Sequence, residues 1–229
     1  PVPDCVVSSS TQPRLGDSAG REGRVIRIGV LVSGRGSNLQ SLLDAETAGS
    51  LHAEVGVVCS DRADAPALTH AEDRGKPALF IDPCSRRARL RPEAEQALVR
   101  TLSSYDIEWV VLAGFMRIVG SQLLEAFPNR VVNIHPSLLP SFPGLHPQRQ
   151  ALEAGVQFSG CTVHLVDSGV DSGPILAQRV VPVESRDTES DLAERILVQE
   201  HQILVETMDR IARVGFELDR DRVRWNDDV

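Results

Sequence analysis

The chain has 229 residues, 41% of them apolar, which is enough to bury one substantial core and excludes disorder throughout. At this length a single α/β domain is expected. The formal net charge of -8 argues against nucleic-acid binding through a broad basic face, but still permits a local anion site built from backbone N–H groups.

Residues 1–23, PVPDCVVSSSTQPRLGDSAGREG, are rich in Ser, Pro, Gly and charge and read as a flexible N-terminal extension. From there strands and helices alternate. VIRIGVLV (Val25 to Val32) reads as a strand and SNLQSLLDAE as a helix. AEVGVVCS is strand-like, ADAPALTHAEDRG helical, PALFID strand-like and PEAEQALVRTLSSY helical. IEWVVLAG reads as a buried strand, VGSQLLEAF as a short helix, RVVNIH as a strand and HPQRQALEAG as a helix. TVHLVD and ILAQRVVPV are strands, and Leu192, Ile196, Val205 and Ile211 have helical spacing between Thr188 and Ala212. After Gly215, Phe216, Leu218, Val223 and Trp225 alternate loosely, as in a terminal strand pair or an arm packed on the core.

Near-continuous apolar strands separated by helices predict a mostly parallel, twisted sheet flanked by helices, with a Rossmann-like N-terminal half. In such sheets ligands bind at the carboxyl ends of the strands. Cys5, Cys59, Cys84 and Cys161 include no CxxC pair and no histidine at metal-ligand spacing, so neither a disulfide framework nor a metal site is expected. No apolar run reaches the length of a membrane span, and the first residues lack a signal-peptide pattern. The expected compartment is cytoplasmic, with no membrane and no nucleic-acid partner.

Three stretches carry chemistry. In VLVSGRGSNLQ, Gly34 and Gly36 permit a tight turn, and Ser37 and Asn38 open a helix whose first N–H groups lack internal partners. A phosphate cradle and an ordinary turn capped by Ser37 are equally compatible with this pattern. Leu39 stands where a dinucleotide fingerprint would have glycine, and the lysine of a nucleoside-triphosphate loop is missing. Asn133 and His135, two apart in RVVNIH, point to one side of a strand that runs into a loop stiffened by Pro136 and Pro140. Asparagine can donate to an oxyanion and histidine can carry a proton, although both also satisfy backbone groups at strand ends. Asp167 and Asp171 lie in a Gly/Ser loop, where turn chemistry is the plainer role.

GRGSN, VVLAGFMRIV, NIHPSLLPSFPGLH and DSGVDSGPIL, in this order and at these separations, resemble the phosphoribosylglycinamide formyltransferase family, folate-dependent enzymes of purine synthesis. The resemblance runs from about Arg24 to Ala212. It implies a formyltransferase catalytic domain over 24–215, with 216–229 as a C-terminal tail. It also implies formyl transfer from N10-formyltetrahydrofolate, as cosubstrate, to the amine of glycinamide ribonucleotide, without a metal. Asn133 and His135 would then stabilise the oxyanion and move protons with Asp171, whose carboxylate is expected to raise the pKa of His135. Gly36, Ser37, Asn38 and Glu200 would hold the phosphate and ribose. Without the resemblance, Glu200 reads as part of a solvated helix face. Arg91, Met116, Arg117, Ile118, Val119, Asn133 and the run Asp167, Ser168, Gly169, Val170, Asp171 would bind the folate. Thr162 and His164 match positions near the site and receive no chemical role. Arg35 occupies a position that is more often small or neutral in the family. The alternatives are a formyltetrahydrofolate hydrolase, a transferase that formylates methionyl-tRNA, and a non-catalytic folate or sugar-phosphate sensor. The first two would carry a further domain in addition to this one. A homodimer is left open.

Overall fold

The computed structural model describes residues 25–84 and 88–227. The extension expected over 1–23, with Cys5, lies outside the described residues. The elements follow the expected alternation: β1 (Ile26–Val32), α1 (Ser37–Thr47), β2 (Ala53–Ser60), α2 (Pro66–Asp73), β3 (Ala78–Phe80), α3 (Pro92–Ser104), β4 (Trp109–Leu112) and α4 (Ser121–Ala126). Then come β5 (Val131–His135), α5 (Pro147–Glu153), β6 (Phe158–Leu165), β7 (Ile175–Pro182), α6 (Glu189–Arg213), β8 (Phe216–Asp219) and β9 (Arg222–Trp225).

The main sheet has seven strands in the order β3-β2-β1-β4-β5-β6-β7. The first five are mutually parallel, and the β5–β6 and β6–β7 pairs are antiparallel. Strand order reverses between β1 and β4, which opens a crevice at their carboxyl ends. Apolar side chains cover both faces. One cluster joins Leu39, Leu42, Val30, Val111, Leu192, Ile196, Leu204 and Met208, and the other joins Leu31, Val110, Leu98, Leu102 and Leu123. The long α6 begins in a reciprocal cap, in which Thr188 Oγ1 accepts from the Asp191 N–H and the Asp191 carboxylate accepts from the Thr188 N–H.

The expected terminal segment is both a strand pair and a packed arm. β8 and β9 form a two-stranded antiparallel sheet. Phe216 meets Trp109 edge-on at 6.1 Å and Trp225 at 5.6 Å, and the Arg210 guanidinium lies 4.3 Å over the Trp225 ring. We expect Phe216→Ala to lower the unfolding free energy by about 3–5 kcal/mol in urea titration. A loss well under 1 kcal/mol would mean that the hairpin adds little to the core.

Candidate active site

The glycine loop leaves β1 at Ser33 and enters α1 at Ser37. The helix cap is Gly36 itself, with φ 79°, and no side chain caps the helix, so Ser37 does not play the capping role open to it in sequence. Gly36 is required twice over. Its φ is left-handed, and a Cβ there would lie 2.5 Å from the Ala67 Cβ. The free N–H groups at the start of α1 therefore remain available to an anion. Arg35 is exposed beside them.

Asn38 is buried, and its Nδ2 donates to Glu200 Oε2 of α6 at 3.0 Å. Glu200 is only 7% exposed, which overturns the solvated-face reading: its helix turns it inward against the start of α1. Burial pushes the Glu200 carboxyl upward, and the bond from Asn38 partly offsets this. Asn38 Oδ1 is buried without a hydrogen-bond partner among the described residues.

The segment after β4 faces this loop. Met116 is exposed, its N–H donating to Ser33 Oγ at 2.8 Å, and Arg117 Nε donates to Asp61 Oδ2 at 2.6 Å. Ile118 forms a parallel bridge with Arg89, its N–H donating to Ala88 O and its carbonyl accepting from Leu90 N–H. Val119 is buried among apolar groups. Arg91, next to Leu90, precedes α3 with its side chain 60% exposed and 3.7 Å from Glu93.

Four polar side chains converge where β5, β6 and their following loops meet. Antiparallel pairing sets His164 of β6 opposite Asn133 of β5. Asp171 reaches in from the loop after β6 with φ 51°, a left-handed conformation that aspartate tolerates better than most residues. Its Oδ2 accepts from the Gly144 N–H at 2.8 Å and lies 3.4 Å from His135 Nδ1. Its Oδ1 lies 3.4 Å from Asn133 Nδ2 and 3.6 Å from His164 Nε2. The other loop aspartate does turn chemistry. Asp167 accepts from Gly169 N–H and Ser172 Oγ, while Ser168, Gly169 and Val170 are exposed. The loop after β5 is held against the sheet by Thr162, whose hydroxyl donates to Ser137 O and accepts from Leu139 N–H.

The hydrogen-bond partners restrict protonation. His164 Nδ1 faces the Leu165 carbonyl at 2.8 Å, so it carries a hydrogen, and its Nε2 lies 3.1 Å from Asn133 Nδ2 and 3.6 Å from Asp171 Oδ1. His135 Nε2 faces the Phe142 carbonyl at 3.0 Å and Nδ1 faces Asp171, so both nitrogens meet acceptors, an arrangement suited to the imidazolium. Nevertheless its pKa lies below the ordinary histidine value. Burial is the largest cause and lowers it, the Phe142 carbonyl and Asp171 raise it, and His164 lowers it. The expected upward shift is thus corrected: the carboxylate acts in the expected direction, but desolvation wins. For Asp171, burial is the largest single effect and raises the pKa. It is outweighed by His164, the Gly144 N–H and His135, and the net direction is down.

His164 is the site residue to which sequence reasoning gave no role. Its only sequence signal was its place near the site, and the contact with Asn133 arises from strand register. Among the described residues there is no cluster of three or more His, Cys, Asp or Glu able to hold a metal, and no helix long and apolar enough to cross a membrane.

A family model described as formyl transferase matches residues 26–208. A solved structure of glycinamide ribonucleotide transformylase 1 from Symbiobacterium toebii is 49% identical, with a TM-score of 0.85, over 91% of this chain and 96% of that one. The trifunctional purine biosynthetic protein adenosine-3 of Drosophila melanogaster is 46% identical over 76% of this chain, which spans only 13% of that protein's length. Phosphoribosylglycinamide formyltransferase of Bacillus subtilis (strain 168) is 36% identical over 77% of this chain and 89% of its own.

The lowered His135 pKa has a consequence for stability. Between the folded value and about 6.5 the unfolded chain binds more protons than the folded one, so stability rises with pH across that window. His201, also lowered by burial, acts in the same direction. We expect the melting temperature to fall as pH drops below about 6.5, and the fall to be shallower in His135→Gln. An unchanged slope in that variant would place the effect elsewhere.

Proposed function

Since this chain belongs to the formyl transferase family and, within it, to the phosphoribosylglycinamide formyltransferases, we propose that it moves the formyl group of N10-formyltetrahydrofolate directly to the amine of glycinamide ribonucleotide, in de novo purine synthesis. The observation that carries the reading is the convergence of Asn133 and His135, on the strand next to β4, with Asp171 from the loop after β6. The proposed compartment is cytoplasmic.

The ribonucleotide phosphate sits on the N–H groups of Gly36, Ser37 and Asn38, and Glu200 takes the ribose hydroxyls. The orphaned Asn38 Oδ1 beside Glu200 suits a hydrogen donor from the same substrate. The folate lies between the segment Met116, Arg117, Ile118, Val119 and the loop from Asp167 to Asp171. Arg91 is assigned to the outer, folate end, an assignment that fits its exposure.

Attack of the amine on the formyl carbon makes a tetrahedral oxyanion. Asn133 Nδ2 donates to it, using the hydrogen whose contact with Asp171 is the longer of its two. The oxyanion adds a second negative charge to that of Asp171, so His135 gains proton affinity against the cost of burial as the charge develops. It then delivers the proton to the departing folate nitrogen, while Asp171 steadies the cation and helps remove the amine's proton. Approximation of amine and formyl carbon contributes roughly 7–11 kcal/mol. The formyl carbon passes from one nitrogen to another at the same oxidation level, and the amine's proton replaces it on the folate nitrogen, so no redox partner is required.

The test is to incubate the protein with formyl-folate, with and without glycinamide ribonucleotide, and to follow both folate deformylation and formate. Ribonucleotide-dependent deformylation without formate is expected. Formate release independent of the amine would point to hydrolysis, and no turnover to a binding role. We expect His135→Ala and Asp171→Asn each to lower kcat by about 10²–10⁴-fold, with ribonucleotide binding little changed. Gly36→Ala should instead raise the ribonucleotide KM by about tenfold or more, because the left-handed turn must distort. Near-normal turnover in either catalytic-site variant would remove that residue from the scheme.

A further inference from the structure

Outside the cluster described above, one buried polar network joins three neighbouring strand ends. Asp61 follows β2, Ser33 follows β1 and Met116 and Arg117 lie in the loop after β4, in the order in which those strands stand in the sheet. Ser33 Oγ donates to Asp61 Oδ1 at 2.5 Å and accepts from the Met116 N–H at 2.8 Å. Arg117 Nε donates to the other carboxylate oxygen, Asp61 Oδ2, at 2.6 Å. The Ser33 N–H also donates to the Gly114 carbonyl at 3.2 Å. Asp61 has a side chain only 4% exposed, and Arg117 16%.

The direction of every bond in this network is fixed. The serine has one hydrogen, and it goes to Asp61. Its lone pair therefore faces the Met116 N–H, a donor that cannot reverse. A buried carboxylate needs such donors on both oxygens, because removing one partner leaves an uncompensated charge. Asp61 touches neither proposed substrate-binding segment through its own backbone. It acts through Ser33, which directly precedes the glycine loop, and through Arg117, within the proposed folate wall.

We propose that Asp61 is a positioning residue for folate: its carboxylate holds the Met116–Arg117 backbone at a set distance from the start of the glycine loop, and so shapes the surface against which the pterin lies. This rests on the reading that Met116 to Val119 form that surface. The α1 N-terminus is shaped separately, by Gly36 against Ala67 and by Asn38 against Glu200, so ribonucleotide binding does not depend on Asp61.

The experiment compares the full-length chain with Asp61→Asn and Ser33→Ala, in steady-state turnover and in tetrahydrofolate binding by calorimetry. Asparagine keeps the shape but turns an N–H₂ toward one of two donors. In Asp61→Asn we expect the formyl-folate KM and the tetrahydrofolate Kd to rise about tenfold, with the ribonucleotide KM within about twofold and kcat at saturation within about threefold. Ser33→Ala keeps the Asp61–Arg117 pair but frees the Met116 N–H, and the same folate constants should rise, by a smaller factor. Both variants are read beside their melting temperatures. A lowered melting temperature with unchanged folate constants, or equal changes in both substrates' KM values, would overturn the proposal in favour of a structural role. If Asp61→Asn does not fold, Ser33→Ala alone decides by the same criteria. Wild-type turnover tests the reading of the reaction, whereas only the ratio of variant to wild type tests Asp61, so the two failures are distinguishable.

Discussion

Strands packed on both faces leave polar side chains very little room. In β1, β2 and β4 almost every side chain is buried against a helix or the neighbouring layer, and an unpaired polar group placed there would cost several kcal/mol. Polar chemistry is pushed to the carboxyl ends, where the chain leaves the sheet and its side chains can find one another. Ser33 and Asp61 directly follow such ends and His135 is the last residue of its strand, with Asn133 two residues before it on the same side. The reversal of strand order between β1 and β4 keeps loops from closing over that edge.

Around this edge, each polar group is satisfied by a partner from another element. Asp171 ties the loop after β6 to the loop after β5 through Gly144, and to both strands through the histidines and Asn133. Ser33 and Asp61 tie β1 and β2 to the loop after β4. Glu95 of α3, itself buried, accepts from the Gly120 and Leu123 N–H groups, and so caps α4 from outside its own segment. The glycine loop and the segment after β4 are therefore anchored from behind by buried partners.

His135 illustrates how opposing electrostatic effects produce a usable group. A neighbouring carboxylate and a carbonyl favour the cation, while burial and His164 oppose it, and burial is the largest effect. In a histidine balanced in this way, a negative charge placed beside the ring favours the protonated form. Sequence alone supplied only the attractive half of this balance, because Asp171 has a position in the chain and desolvation does not.

Much of the fold was legible in the chain. Apolar runs broken by amphipathic stretches located the strands and helices in order, since a strand buried on both faces needs continuous apolar residues and a helix needs them on one side. The spacing of Asn133 and His135 placed them together, because alternation along a strand is local geometry. The family-like motifs added Asp171 and Glu200, which no spacing rule connects to the rest. Tertiary structure decided what depends on register and burial. Only the antiparallel pairing of β5 and β6 brings His164 onto Asn133. Only the docking of α6 against α1 buries Glu200. Only adjacent strand ends give Arg117 its partner in Asp61. Local pattern is set by neighbours along the chain, whereas these contacts join residues far apart in it, and their energies exist only once the sheet and its helices have closed around them.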